Sequence, residues 1–362
     1  MTIGSATPES YQQQLEDKEA LTQQEFTEFY QGDLCVFPSS KSHFRMRAEF
    51  KMWHEGDDTF YIMYEPGEYK TPIRITNFSI GSQRINDLMP RLLDEVKRQP
   101  ILRQKLFQCE FLTTTHGEAL ITLIYHKPLN DEWLQAAAEI EKTLACKVIG
   151  RSKKQKVILT DDFVTEEMTL SNGDYKYQQV EASFTQPNAG ICHDMLNWAI
   201  DKTKNNGGDL LELYCGNGNF TLPLAKNFNR VLATEVSKTS IKSAQYNIEI
   251  NNSTNIHVIR MSSEEFTEAM NKEREFRRLK TLSLDDYSFS TILVDPPRAG
   301  LDKGTEKLCS QFDHIVYISC NPETLKENLK ALCVTHKVEH MALFDQFPYT
   351  HHRECGVVLS RR

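Results

Sequence analysis

Between residues 209 and 360, apolar runs of five to seven residues alternate with helical patterns, and no other feature of the chain restricts its fold as tightly. DLLELYC (209–215), RVLATE (230–235), IHVIRM (256–261), TILVD (291–295), HIVYIS (314–319) and VEHMALF (338–344) are separated by stretches such as 238–250 and 322–332 that read as helices. Parallel strands require crossovers of this length, so the segment predicts an α/β architecture with a doubly wound, Rossmann-like sheet. One more strand, CGVVLS (355–360), follows after only a short loop.

The first half reads differently. Short alternating stretches at 44–53, 59–64, 119–125 and 157–159, with helical patterns over 84–98 and 131–145, predict an α+β domain. The polar run LSNGDYKYQQ (170–179) approaches the boundary, giving domains 1–180 and 181–362. No apolar run reaches the roughly 20 residues of a membrane helix, and MTIGSATPES lacks the basic flank and apolar stretch of a secretory signal. The expectation is a soluble cytoplasmic protein with no membrane partner. Nine cysteines without a Cys-x-x-Cys pair fit neither a disulfide framework nor an ordinary zinc or iron–sulfur site. The net charge of −8 is concentrated: residues 1–40 hold one Lys against seven acids. Basic clusters around 41–51, 91–105 and 147–156 therefore remain available to phosphates, although each alone is more ordinarily a solvated surface.

Four segments could carry chemistry. In LLELYCGNGNFTLPLA (210–225) a strand enters a Gly-rich turn and then a helical pattern, presenting backbone N–H groups to a ligand. Glu235, twenty residues after Cys215, ends the next strand where it could accept from the two hydroxyls of a ribose. Thr221 occupies the place of the third glycine in the dinucleotide fingerprint, which favours a nucleoside ligand without a pyrophosphate, such as S-adenosylmethionine. LVDPPRAG (293–300) points Asp295 and Arg298 toward the crevice at the strand ends. In YISCNPETL (317–325) Cys320 stands between a strand and a helix that begins with Asn321 and Pro322; the helix N-terminus favours a thiolate there. FPYTHHRECGVVL (347–359) delivers Glu354 to the same end of the sheet as a candidate general base. His351 and His352 lack a third ligand of suitable spacing, so no metal is expected.

Taken with FTQPN (184–188), the motifs ELYCGNGNF, ATE, DPPR, SCNPETL and HHRECGV resemble, in their order, the RNA 5-methyluridine methyltransferases, and most closely the bacterial tRNA (uracil-5-)-methyltransferases. The resemblance implies methylation, with S-adenosylmethionine as donor, at C5 of the T-loop uridine at position 54 of tRNA. The T arm would be the partner, and the related loop of transfer-messenger RNA a second candidate target. It further implies that Gln186, Tyr214, Asn219, Glu235 and Asp295 contact the donor, that Cys320 is the nucleophile and Glu354 the proton acceptor, and that the N-terminal domain binds RNA. Arg47, Phe50, Lys51, Phe107 and His126 are its candidate RNA contacts. No obligate protein partner is implied. Ribosomal RNA is the rival substrate, disfavoured because Cys35, Cys109, Cys146 and Cys192 are too scattered for the iron–sulfur cluster frequent among enzymes acting on it. A tRNA-binding or folding factor is the rival from another class, and an oxidoreductase is more distant.

Overall fold

The computed structural model describes residues 3–362 apart from Pro66, Tyr69 and Thr281. The chain forms two compact units, but they are not divided by one cut near 180. The first comprises residues up to Glu9, Ser40–Glu167 and Gln179–Ala189; the second comprises Ser10–Ser39, Met168–Gln178 and Gly190–Arg362. The run expected to approach a linker is instead a β-hairpin, Phe163–Leu170 with Gly173–Val180.

The first unit is α+β, as its alternating patterns predict. Seven strands lie in the order Ile73–Arg74, Asp58–Met63, Arg47–Glu55, Leu106–Thr113, Ala119–Tyr125, Lys147–Ser152, Gln155–Ile158. All neighbours are antiparallel except Ala119–Tyr125 with Lys147–Ser152, which the helix Asp131–Leu144 joins as a crossover. Helix Gln83–Arg98 buries Ile85, Leu88, Met89, Leu92 and Val96, spaced to lie on one face, while the second helix buries Trp133, Ala136, Ala137, Ile140 and Leu144. Both stripes close on Phe50, Phe111, Ile121 and Leu123 of the sheet. Ser82 and Asn130 cap the two helices by accepting from Ile85 N and Trp133 N.

The second unit carries the doubly wound sheet. Its eight strands run in the order Cys35–Phe37, His336–Phe344, Glu354–Arg361, His314–Ser319, Phe289–Val294, Asp209–Leu213, Val231–Glu235, Ile256–Arg260. The last five are mutually parallel, and Asp209–Leu213 and His314–Ser319 are almost entirely buried, which explains their largely apolar sequences. Glu354–Arg361 is antiparallel to both neighbours, the consequence of the short loop before it. The sheet also recruits the edge strand Cys35–Phe37 from the N-terminal segment, parallel to His336–Phe344. None of the helices among the described residues is long and apolar enough to cross a membrane.

Candidate active site

The carboxyl edge of the parallel strands gathers the chemistry. Asp295 directly follows the Phe289–Val294 strand and Cys320 directly follows His314–Ser319. Because the last strand is antiparallel, its first residue, Glu354, comes to the same edge. Ser319 pairs with Cys355, so one further step of that register puts Cys320 beside Glu354.

The nucleophile candidate is locally well built. Asn321 caps helix Pro322–Leu332 by accepting from Glu323 N at 3.2 Å, with Pro322 in the first turn. The Asp295–Gly300 loop is latched to that helix: Asn321 Nδ2 donates to the Arg298 carbonyl at 3.0 Å, and Thr324 Oγ1 donates to it at 3.3 Å. Buried Asn328 completes the latch by accepting from Leu301 N at 3.0 Å and from the Tyr317 hydroxyl at 2.7 Å. Gly300 is left-handed at φ +75°, and a Cβ there would stand 2.7 Å from Asn328 Oδ1, so the turn needs glycine.

The electrostatics correct one expectation. The Cys320 thiol is not depressed toward thiolate; burial, then the charges of Glu354 and Asp295, push it up to about 11, with Arg298 opposing. Desolvation and two carboxyls outweigh the helix N-terminus. Burial likewise raises Asp295 to about 7, and burial followed by the Asp295 charge raises Glu354 well above the usual carboxyl range. Burial thus disfavours charge on all three groups, and the thiol must be deprotonated when substrate is present. Peptide-resolved mass spectrometry of iodoacetamide labelling should accordingly find Cys320 modification in the free enzyme rising about tenfold per pH unit from about pH 7 to about pH 9, without a plateau.

Beside this centre lies the Gly-rich turn. Leu213 ends its strand, Tyr214 is left-handed at φ +62°, and Gly216 follows at φ +56° with nothing within 4 Å of where a Cβ would be. The helix expected here is only one turn, Thr221–Leu224, continued by a 3-10 turn. Glu235 receives Gly216 N at 3.1 Å and Ser237 N at 2.7 Å on its two oxygens, fixing the carboxylate while leaving further lone pairs. The Tyr214 hydroxyl donates to Ser263 Oγ at 2.8 Å, and Asn219 Nδ2 to Cys192 Sγ at 3.4 Å.

Glu212 escaped the reading of the sequence. It is 1% exposed, its Oε2 has no hydrogen-bond partner, and burial, with the Asp295 charge adding, pushes it up to about 8. A carboxyl flanked by leucines in a wholly buried strand is itself the signal that could have found it. A buried carboxyl with one oxygen unpaired, the open space over Gly216 and the fixed Glu235 together suit a cationic nucleoside such as S-adenosylmethionine.

The remaining sequence candidates belong to the first unit. Gln186 lies on a segment held by Met46 N donating to the Pro187 carbonyl at 2.7 Å and by the Arg47 guanidinium donating to the carbonyls of Ser183 and Glu181. Phe50 is a correction: it is 1% exposed and packs on Tyr61, Phe78 and Phe111. Strand alternation turns Ala48, Phe50 and Met52 to the core and Arg47, Glu49 and Lys51 to the other face, so Phe50 cannot touch RNA. Phe107, by contrast, is half-exposed at a register irregularity between Leu106 and Gln108, the kind of bulge that re-aims a side chain. Its ring stacks on His126 at 4.3 Å, with Lys51 Nζ 4.1 Å from its centroid.

A doubly wound sheet that sets a nucleoside turn beside a thiol and a buried carboxyl is the frame of a Rossmann-like methyltransferase. The chain belongs to the tRNA (uracil-5-)-methyltransferase family, whose model matches residues 10–362. It is 61% identical over 361 residues to the tRNA/tmRNA (uracil-C(5))-methyltransferase of Saccharophagus degradans, covering 99% of each chain. The protein of the same description from Teredinibacter turnerae is 57% identical over 364 residues, with both chains fully covered. Among solved structures it resembles the Pyrococcus abyssi tRNA (uracil-54, C5)-methyltransferase in complex with S-adenosyl-L-homocysteine, with a TM-score of 0.71 and 21% identity over 96% of this chain and 83% of that one.

Proposed function

We propose that the protein methylates C5 of a tRNA uridine, the T-loop uridine at position 54, with S-adenosylmethionine as donor, and that the equivalent loop of transfer-messenger RNA is a further substrate. The observation that carries this reading is Cys320 next to Glu354 at the carboxyl edge of the sheet, in a chain of this family. The reaction would take place in the cytoplasm, where its substrate is made.

C5 of uracil is too weak a nucleophile to be methylated unaided. Cys320 adds as thiolate to C6, and the ring becomes an enolate whose electron density is at C5. S-adenosylmethionine, when bound, supplies an electrophilic methyl group for that carbon. Glu235 suits its ribose hydroxyls, Glu212 and Asp295 its positive charge, and Tyr214 and Asn219 complete its expected contacts within this unit. Glu354, as carboxylate, then takes the C5 proton, for which a pKa raised by burial makes its ionised form a stronger base than an ordinary carboxylate. Elimination expels Cys320 and restores the aromatic ring. Sulfur suits both steps because it adds and leaves readily.

The target base must leave its folded loop to reach sulfur, and stacking platforms lower the cost of opening such a loop. Phe107, stacked on His126 beneath Lys51, supports that role, with Arg47 acting indirectly through the segment it holds. Phe107→Ala should weaken tRNA binding by about 1–3 kcal/mol, roughly 5- to 150-fold in Kd, measured by filter binding. The turnover rate at saturating tRNA should fall less. The decisive test of function incubates the protein and S-adenosylmethionine with unmodified tRNA or ribosomal RNA and analyses nucleosides by mass spectrometry: 5-methyluridine is expected at the T-loop position, and its absence from tRNA would refute the proposal.

A further inference from the structure

The acidic N-terminal segment has no part in the chemistry above, yet helix Tyr11–Phe26 presents a polar inner face to one loop. Gln14, Lys18, Thr22 and Glu25 recur at the spacing of a single helix face. Along that line the helix grips residues 345–353, the connection between the strand His336–Phe344 and Glu354. Lys18, 6% exposed, pairs with Asp345 at 2.7 Å and donates to the Phe347 carbonyl at 2.9 Å. Gln14 Nε2 donates to Asp345 Oδ2 at 3.0 Å and its Oε1 accepts from Tyr349 N at 3.3 Å. At the far end Arg353, 8% exposed, donates to Thr22 Oγ1 at 3.1 Å and to Glu25 at 2.7 Å.

The two anchored ends are chemically telling. Asp345 directly follows Phe344, the ladder partner of Glu354, and Arg353 directly precedes Glu354. Polar burial of this density is costly unless every group is paired, and here the pairings span more than 320 residues of sequence to hold one nine-residue loop. A loop needing only to be covered could be covered by apolar side chains. Side-chain-specific pairing on both flanks of one carboxyl instead fixes where that carboxyl stands.

We propose that helix Tyr11–Phe26 is a clamp that positions Glu354 for removal of the C5 proton, with Lys18 and Arg353 as its positioning residues. The proposal rests on the reading of Glu354 as the base. A small displacement of a base impairs the one step that needs it, while thiol addition and methyl transfer use groups the clamp does not touch.

The test uses the full-length Lys18→Met, Lys18→Arg, Glu25→Gln and Glu354→Gln proteins with unmodified tRNA and S-adenosylmethionine. It reads steady-state kinetics, the fraction of enzyme in a covalent RNA adduct on denaturing gels, and thermal unfolding. Lys18→Met should lower kcat by about tenfold or more, with KM for the donor within about twofold, and raise the adduct fraction several-fold. Lys18→Arg should restore much of the rate. Glu25→Gln lies on the partly exposed side of the clamp and so spares the fold; it should shift the adduct fraction in the same direction but less. Adduct fractions at the wild-type level in both Lys18→Met and Glu25→Gln, with losses that only track the folded fraction, would overturn the clamp; should Lys18→Met not fold, Glu25→Gln decides alone. Glu354→Gln separates the two ideas: adduct there but not in the clamp variants refutes positioning only, and no adduct there refutes the base and the clamp with it.

Discussion

Replacing Cys320 with alanine is expected to abolish 5-methyluridine formation, a loss of at least about 10⁴-fold, the scale on which removal of a covalent nucleophile acts. Binding of tRNA should persist, because the candidate RNA contacts Phe107, His126 and Lys51 lie in the other compact unit. The same variant separates the rival classes: a tRNA-folding factor would keep its whole function without this sulfur. Among the described residues, Cys320 alone of the cysteines combines a strand-end position, a capped helix behind it and a carboxyl one step beyond the ladder. Cys109, Cys215, Cys309 and Cys355 are sealed in the interior, and burial raises the thiol of each. Mass spectrometry of nucleosides and a binding isotherm on the same preparation check the prediction; methylation at even a hundredth of the wild-type rate would refute the covalent route.

Glu354→Gln should trap what Cys320→Ala prevents. Addition to C6 does not require Glu354, so the adduct forms, but the C5 proton stays in place and the thiol cannot leave. Turnover should fall by about 10²- to 10⁴-fold, the usual range for loss of a general base. A covalent RNA–protein species should accumulate on denaturing gels, carrying the methyl label. Glutamine matches the shape of glutamate, so the ladder pairing with Phe344 survives and the defect is chemical. Rapid turnover with no adduct would assign proton removal elsewhere, with Asp295 next in line by position and by its pKa near neutrality.

What the sequence disclosed follows from what is local. Strand His314–Ser319 and helices Lys238–Ile250 and Pro322–Leu332 have the bounds their patterns predict, because a buried strand and a one-sided helix write their environment into neighbouring residues. The edge position of Cys320, Asp295 and Glu354 follows from the same patterns and the winding rule. The strand alternation that buries Phe50 was equally local, visible in Arg47, Glu49 and Lys51 against Ala48, Phe50 and Met52. Other features had no local trace. The sign of the Cys320 shift is set first by burial and then by the charges of Glu354 and Asp295, brought up from elsewhere in the sheet, against the helix N-terminus, which alone is readable from YISCNPETL. The membership of residues 10–39 in the second unit depends on pairs such as Lys18 with Asp345, whose partners carry no mark of each other along the chain.

That membership makes the second unit discontinuous, with most of the first inserted after its opening helix and edge strand. On the ribosome the order of completion is thereby fixed. The stretch 40–167 can close its own core early, whereas helix Tyr11–Phe26 must wait for Asp345 and Arg353, which follow their partners Lys18 and Glu25 by 327 and 328 residues. The basic clamp residue and its acidic neighbours stay hydrated until the loop 345–353 emerges, so the arrival of strand Glu354–Arg361 both joins its two neighbours in the sheet and seats the helix on it.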